Sequence, residues 1–248
     1  MSAPVLRPLS AGEVLDVSFG FYRAHFVPLV TIAALSRVVP DVLGIYVEQS
    51  GGIMANLTLG IVQLILSIVL SMVGVAATTS VVSDGYLGRS MQAGEAIRNA
   101  LGMLGRLLVV SISSGMLIFF GIILLIVPGL VAMSGLALAS VVVVLEGKAP
   151  VEAMQRSWNL TKGFRRKILG VLSITLLLLV VPGFAIGVFT AITSASAEPG
   201  ILAMVANSVL ALFIFPFVYV ATVVLYYDIR VRKEGFDLEL LAGDMPAT

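Results

Sequence analysis

Few side chains in this chain could do covalent chemistry. It has no cysteine and a single histidine, His25. That removes disulfides, thiolate nucleophiles and thiolate metal sites within it. A zinc site needs three or four ligands, and no second histidine, cysteine or adjacent carboxylate pair accompanies His25. A serine–histidine nucleophile would need an orienting acid beside His25, and the local sequence offers none. There is no Walker-type or dinucleotide-binding glycine motif, and the glycines at 85–105 follow no strand. Glu146 and Glu152 flank a basic loop and read as solvated charge. The expectation is a non-enzymatic protein without a cofactor or a bound metal.

What remains is charge and polarity in unusual places. Arg37 and Asp41 stand four apart in an apolar stretch, so on a helix they share a face and pair. Ionisable groups inside a membrane helix are costly and by default mark function. The alternative is a structural ion pair, or an aspartate near the outer interface after a kink at Pro40. Asn56 and Gln63 belong to a stripe with Gly60, Ser67, Ser71, Gly74 and Thr78, spaced by steps of four and three on one helix face. Arg37, Asp41, Asn56 and Gln63 form the candidate intramembrane polar site. Small, weakly polar residues also let helices approach closely in lipid, so packing and a polar cavity both fit the stripe. Gly183 and Gly187 make a small-xxx-small pair, again a packing signal, and Asn207 suits either role. A second set is basic: Arg23, Arg106, Arg156, Lys162, Arg165, Arg166 and Lys167, with Trp158 among them. These are the candidate lipid-headgroup contacts.

The elements that position these residues follow from composition. Of 248 residues, 59% are hydrophobic and 12% charged, with a mean hydropathy of +1.09. Soluble domains carry roughly 25% charged residues. The surplus of apolar surface needs lipid, where backbone groups must be satisfied within helices. A helix crosses the hydrocarbon with about 20 apolar residues. Six segments meet this, at roughly 26–47, 53–82, 105–127, 129–145, 168–192 and 201–227. Proline breaks a helix interior, so the third and fourth are expected to turn at Pro128 and Gly129. The start, MSAPVLRPLS, lacks a basic stretch leading into an apolar run, so no cleaved signal peptide is expected.

Fourteen of the fifteen basic residues fall before span one, between two and three, between four and five, or after six. The opposite loops, near 48–52, 128–129 and 193–200, hold none, only Glu48 and Glu198. The positive-inside rule places the basic side, with both termini and a tail at 228–248, in the cytoplasm. Tyr226 and Tyr227 fit an interfacial aromatic anchor. The net charge of +1 argues against a nucleic-acid partner.

The basic side repeats itself. GEVLDVSFGFYRAHF from Gly12, GEAIRNALGMLGRLL from Gly94 and VEAMQRSWNLTKGFR from Val151 align on Glu13, Glu95 and Glu152. Leu15, Ile97 and Met154 follow at +2, and Phe19, Leu101 and Trp158 at +6. Tyr22, Leu104 and Thr161 follow at +9, and Arg23, Arg106 and Lys162 at +10 or +11. Steps of four and three make one helical face. Acid in the first turn and cation at the end both suit the helix dipole. Ser10 with Glu13 makes a capping box. Prolines recur downstream, in VVPD at 38–41, IVPG at 126–129 and VVPG at 180–183. The fold expected is all-α: a polytopic membrane bundle of about six spans with three cytoplasmic interfacial amphipathic helices. It forms a single membrane domain with a pseudo-threefold repeat at roughly 12–82, 94–145 and 151–227. The interfacial helices are either connectors packed on their own bundle or lipid-engaging elements.

Three stretches carry a family resemblance: RPLSAGEVLDVSFGFYRAHF near the start, VVLEGKAPVEAMQRSWNLTKG at 143–163 and YYDIRVRKEGFDLELLA at 226–242. Together they resemble the membrane domain attached to some bacterial glycerophosphoryl diester phosphodiesterases, over about 7–242. In the fused enzymes a separate soluble barrel with histidines, acidic residues and a metal does the hydrolysis. None of the matching motifs is catalytic, so no hydrolase activity carries over. The resemblance implies a stand-alone relative of a membrane anchor or accessory domain in a bacterial cytoplasmic membrane.

The leading expectation is a lipid-associated accessory whose interfacial helices engage phospholipid headgroups. A small transporter or channel subunit, with Arg37 and Asp41 in its path, is the rival. A scaffold for a separate protein partner is the third. The phospholipid bilayer is the one partner read from the residues; a protein partner and the oligomeric state are not.

Overall fold

The computed structural model describes residues 7–89, 91–193 and 200–236. The expected loop with Glu198 and the tail beyond 236 lie outside the described residues. Within them all regular structure is helical. In chain order the helices are α1 (Ala11–Ala24), α2 (Phe26–Gln49), α3 (Gly52–Ala55), α4 (Leu57–Tyr86), α5 (Ala93–Leu101) and α6 (Leu104–Leu124). Then come α7 (Ile126–Leu136), α8 (Ala139–Glu146), α9 (Pro150–Thr161), α10 (Arg165–Thr193) and α11 (Ile201–Glu234). By length and composition six cross a membrane: α2, α4, α6, α7 continued by α8, α10 and α11. The chain is a helical, multi-pass membrane protein.

The three short helices α1, α5 and α9 are those the repeat requires, and their packing repeats too. Each lies against the last span of the unit before it: α5 on α4, α9 on α7 and α8, and α1 on α11. The third unit thus closes on the first. The last spans also meet one another, α4 with α8 and α11. Their basic ends supply much of the core, including Val82, Val142, Val143, Val224 and Ile229. Each ends on a glycine in the left-handed region, Gly88 (φ 75°), Gly147 (66°) and Gly235 (63°). Only glycine adopts that conformation without strain. The first spans of the second and third units lie outside, with Leu117 and Phe120 of α6 and Leu177 and Phe184 of α10 exposed as lipid-facing residues would be.

Within α1, α5 and α9 the positions +1 and +5 from the glutamate are buried in every copy, and α9 buries Leu160 and Thr161 as well. The repeated positions hold Val14 and Ser18, Ala96 and Ala100, Ala153 and Ser157. All are small, which brings each helix close to the span beneath it. The large residues at +6 turn away, with Phe19 61%, Leu101 54% and Trp158 38% exposed. The single apolar face expected from +2, +6 and +9 is therefore split: Leu15, Ile97 and Met154 at +2 and Tyr22 and Leu104 at +9 pack against the core, Thr161 is buried, and only the +6 residues turn away from protein.

The Ser10–Glu13 capping box is present. Ser10 Oγ accepts from Glu13 N–H at 3.2 Å, and Glu13 accepts from Ser10 N–H at 2.7 Å. Arg7 reaches the same carboxylate at 2.6 Å. The Ser10 amide and then Arg7 hold the Glu13 carboxyl at about 2, below its ordinary 4.5. A depressed carboxyl contributes above its unfolded pKa. The cap is thus complete above about pH 4.5 and is lost as pH falls through about 2. A carboxyl-carbon NMR titration of Glu13 should find its midpoint near 2; a midpoint at 4.5 would show the cap unformed.

Several boundaries differ from the expected ones. The turn between α6 and α7 falls at Leu125, which is extended (φ −163°, ψ 142°), and not at Pro128 and Gly129. Pro128 sits in the first turn of α7, where its missing N–H costs nothing. Gly129 instead permits close approach. A Cβ there would lie 2.7 Å from Ile122 N and 2.8 Å from Ile122 Cα. Backbone cannot swing aside, so Gly129→Val should cost about 1–3 kcal/mol by overpacking. A denaturant titration in detergent checks this, and an unchanged midpoint would refute it. α4 begins at Leu57 because Asn56 Oδ1 caps it, accepting from Leu59 N–H at 3.1 Å. α11 runs on to Glu234, past the end of span six, because its charged turn is packed against protein. Tyr226 and Tyr227 are buried, not lipid anchors: their hydroxyls meet Glu146 at 3.0 Å and Ser83 at 2.6 Å.

The join between α7 and α8 breaks the helical ladder inside the bundle. Ser157 of α9 repairs it, accepting from Leu138 N–H at 3.2 Å and donating to Gly135 O at 2.7 Å. Thr161 donates to the same carbonyl at 3.3 Å. Broken backbone at membrane depth is tolerated where such partners exist.

Candidate functional site

The three motif stretches meet at the basic end of the bundle. Asp228 of α11 is fully buried at its side chain and accepts from Leu9 N–H at 2.6 Å. Lys167 of α10 and Arg232 pair with it, Arg232 at 3.2 Å. Both cations also donate to Leu9 O at 2.5 Å. The N-terminal stretch is thus clamped between α10 and α11. A second cluster joins α8, α9 and α11. Arg156 forks across Glu146 at 3.0 Å and Glu234, whose second oxygen it meets at 2.8 Å. The hydrogen bond from Arg156 to Glu234 holds the guanidinium above its usual pKa against partial burial. Arg230 braces Glu234 at 3.0 Å. Lys233 donates to Asn159 O at 2.5 Å, and Arg106 to Gly147 O at 2.7 Å.

The candidate headgroup residues therefore divide. Arg156 and Lys167 serve the ion-pair clusters, and Glu146 is the partner of Arg156, not the solvated charge expected from its loop. Arg106 ties α6 to the end of α8. Arg165 lies over the Trp158 ring, 4.3 Å from its centroid, a cation–π contact. The same ring packs against Gly135, where a Cβ would lie 2.3 Å from it. Arg23, Lys162 and Arg166 are exposed near the outward strip of Phe19 and Trp158. His25 ends α1 stacked on Phe21, with ring centroids 4.1 Å apart. Among the described residues no group of three metal-ligating side chains gathers.

The intramembrane residues divide as well. Arg37 reaches Asp41 at 3.3 Å and 3.4 Å through one nitrogen and lies 4.6 Å from the Phe215 ring centroid. Its Nε is buried without a partner. Asp41 and Gln63 line a cavity of about 730 Å³ between α2, α4, α10 and α11, at the end away from the basic helices. Glu48, Thr190, Asn207 and Ser208 line it too. Asn56 does not; it is exposed at the N-cap of α4. Gly74 serves packing, since a Cβ there would lie 2.6 Å from Ser36 Oγ. Gly187 faces the cavity, so the small-xxx-small pair is not a packing seam along its length.

Sequence reasoning missed the two ion-pair clusters. Their signal lies in YYDIRVRKE, where Asp228 and Arg232, and Arg230 and Glu234, stand four apart directly after an apolar run. No family model, curated protein or solved structure matches the chain.

Proposed function

We propose that this chain is a non-enzymatic protein of a bacterial inner membrane, with its basic end in the cytoplasm, acting as a lipid-associated accessory or anchor. On this reading it is a relative of the phosphodiesterase membrane domains its motifs resemble. The charge asymmetry supports the orientation, since fourteen of fifteen basic residues lie on one side. One observation carries the rest. Three helices in equivalent places bury a strip of small residues and turn Phe19, Leu101 and Trp158 outward. Exposed cations stand beside them: Arg23, Arg98, Lys162 and Arg166. An apolar strip bordered by cations suits the layer where phosphates meet acyl chains. The ion-pair clusters hold α9 and the entry to α1 in place, so their outward residues remain for lipid.

Replacing Trp158, Lys162 and Arg166 together by alanine should at least halve the anionic lipid that copurifies, as read by native mass spectrometry. Substituting Ile123 and Leu124 of the exposed α6 tip by alanine is the control and should not. Equal retention by both variants and the parent would overturn the reading.

A further inference from the structure

We propose that the groove between α6, α7, α10 and α11 holds one acyl chain of an anionic phospholipid whose phosphate is bound by Arg165. This rests on the reading of α9 as a helix of the headgroup layer, and it gives that layer one saturable site. The groove encloses about 380 Å³, within the roughly 300–1,000 Å³ of small-molecule sites. Its lining is apolar but for Ser173 and Thr175, and the Thr175 hydroxyl is spent on Val171 O at 3.1 Å. Leu172, Leu176 and Leu179 of α10 form one wall, on the same helix face as Arg165. They lie about 10 to 21 Å further along the helix than Arg165. Ile118 lies about 18 Å from Arg106 along α6, and Val218 about 18 Å from Arg230 along α11. Four helices thus set the groove at one depth from the basic end. One leaflet of hydrocarbon is about 15 Å deep, so a chain whose phosphate meets that end runs through this depth. Leu176 is 58% exposed, which opens the groove sideways to lipid.

Arg165 stands at the mouth. Its ring partner Trp158 packs against Gly135, and the next residue, Leu136, lines the groove. Stacking on the indole orients the guanidinium and spends none of its N–H donors. Its Nε is enclosed without a partner. Its two terminal nitrogens are open, and among the described residues nothing accepts from them. A planar fork with free donors matches two oxygens of a phosphate. Lys162 and Arg166 flank it, both exposed, and no carboxylate among the described residues pairs with either. Lys167 beside them differs, being held by Asp228. Three cations without a counter-ion favour an anionic headgroup over a zwitterionic one.

Native mass spectrometry of the delipidated full chain in maltoside, titrated with phosphatidylglycerol, tests this. The first lipid should be held at least tenfold tighter than the second, and at least fivefold tighter than a first phosphatidylethanolamine. Arg165→Gln, at a half-buried side chain, should abolish that gap. Arg165→Lys keeps the charge without the fork and should retain part of it. First-site affinity should rise from dihexanoyl to dipalmitoyl chains. Ala137→Phe fills the groove from the end of α7 and should remove that rise. Leu176→Trp closes it from the exposed lip and should do the same, with helicity by circular dichroism showing that each variant is folded. The interfacial reading is judged on the later lipids, and this site on the first. A first lipid held no tighter than the second sinks the proposal, as does a gap that survives Arg165→Gln or a chain-length rise that survives both groove variants.

Discussion

Replacing Asp228 by alanine should lower the unfolding free energy by about 3–5 kcal/mol, the cost of breaking a buried ion pair from one side. The carboxylate is fully enclosed and accepts from the Leu9 amide as well as from Lys167 and Arg232. Without it, Lys167 keeps a charge with 15% side-chain exposure and one carbonyl for company, and the Leu9 amide loses its acceptor. The effect should reach further than one pair, because Leu9 fixes the entry of α1 and α1 closes the third unit on the first. Replacing the pair by apolar residues, Asp228→Leu with Lys167→Met, should cost less, since Lys167 is then not stranded and only Arg232 and the Leu9 amide lose a partner. Unfolding in mixed micelles at rising dodecyl sulfate concentration reads both. A loss under about 1 kcal/mol for the alanine variant would place this pair with ordinary surface salt bridges.

Arg156→Ala should be the next most costly change, at about 2–3 kcal/mol, between the exposed and the buried limits. One guanidinium holds Glu146 of α8 and Glu234 of α11, with side-chain exposures of 15% and 24%. Tyr226 and Arg230 remain for the two carboxylates, which keeps the loss below that at Asp228. Lysine should not rescue it. Its point charge cannot span two carboxylates as the planar fork does. A double-mutant cycle with Glu234→Ala should return a coupling of about 1 kcal/mol or more. A coupling near zero would mean that the short contacts in this cluster carry no stability.

The membrane spans were legible because apolar length is a one-dimensional property. Only local chemistry moved their ends. Asn56 capped α4, an extended Leu125 made the α6–α7 turn, and a packed charged turn prolonged α11 to Glu234. The three amphipathic helices were legible from the glutamate register. Which strip faces the protein was not, because periodicity marks apolar positions without saying whether lipid or protein covers them. Small residues at +1 and +5 held that information, and size, more than hydropathy, carried it. The fates of Tyr226, Tyr227 and Glu146 were hidden for a related reason. The two tyrosines are fixed by residues 80 and 144 positions away, Tyr226 by Glu146 and Tyr227 by Ser83. Of the intramembrane set, Asp41 and Gln63 meet at the cavity, while Asn56 left the stripe because it ends the helix.

Trp158 is the single tryptophan of the chain, and it lies on the outward strip that the functional reading assigns to the headgroup layer. Its fluorescence in liposomes of lipids brominated at different acyl depths therefore tests that reading most directly. Bromines near the glycerol end should quench Trp158 strongly and deep ones weakly, with the emission that of an interfacial indole. Equal, negligible quenching at every depth would put the ring out of reach of lipid and contradict the placement of the three helices in the membrane surface.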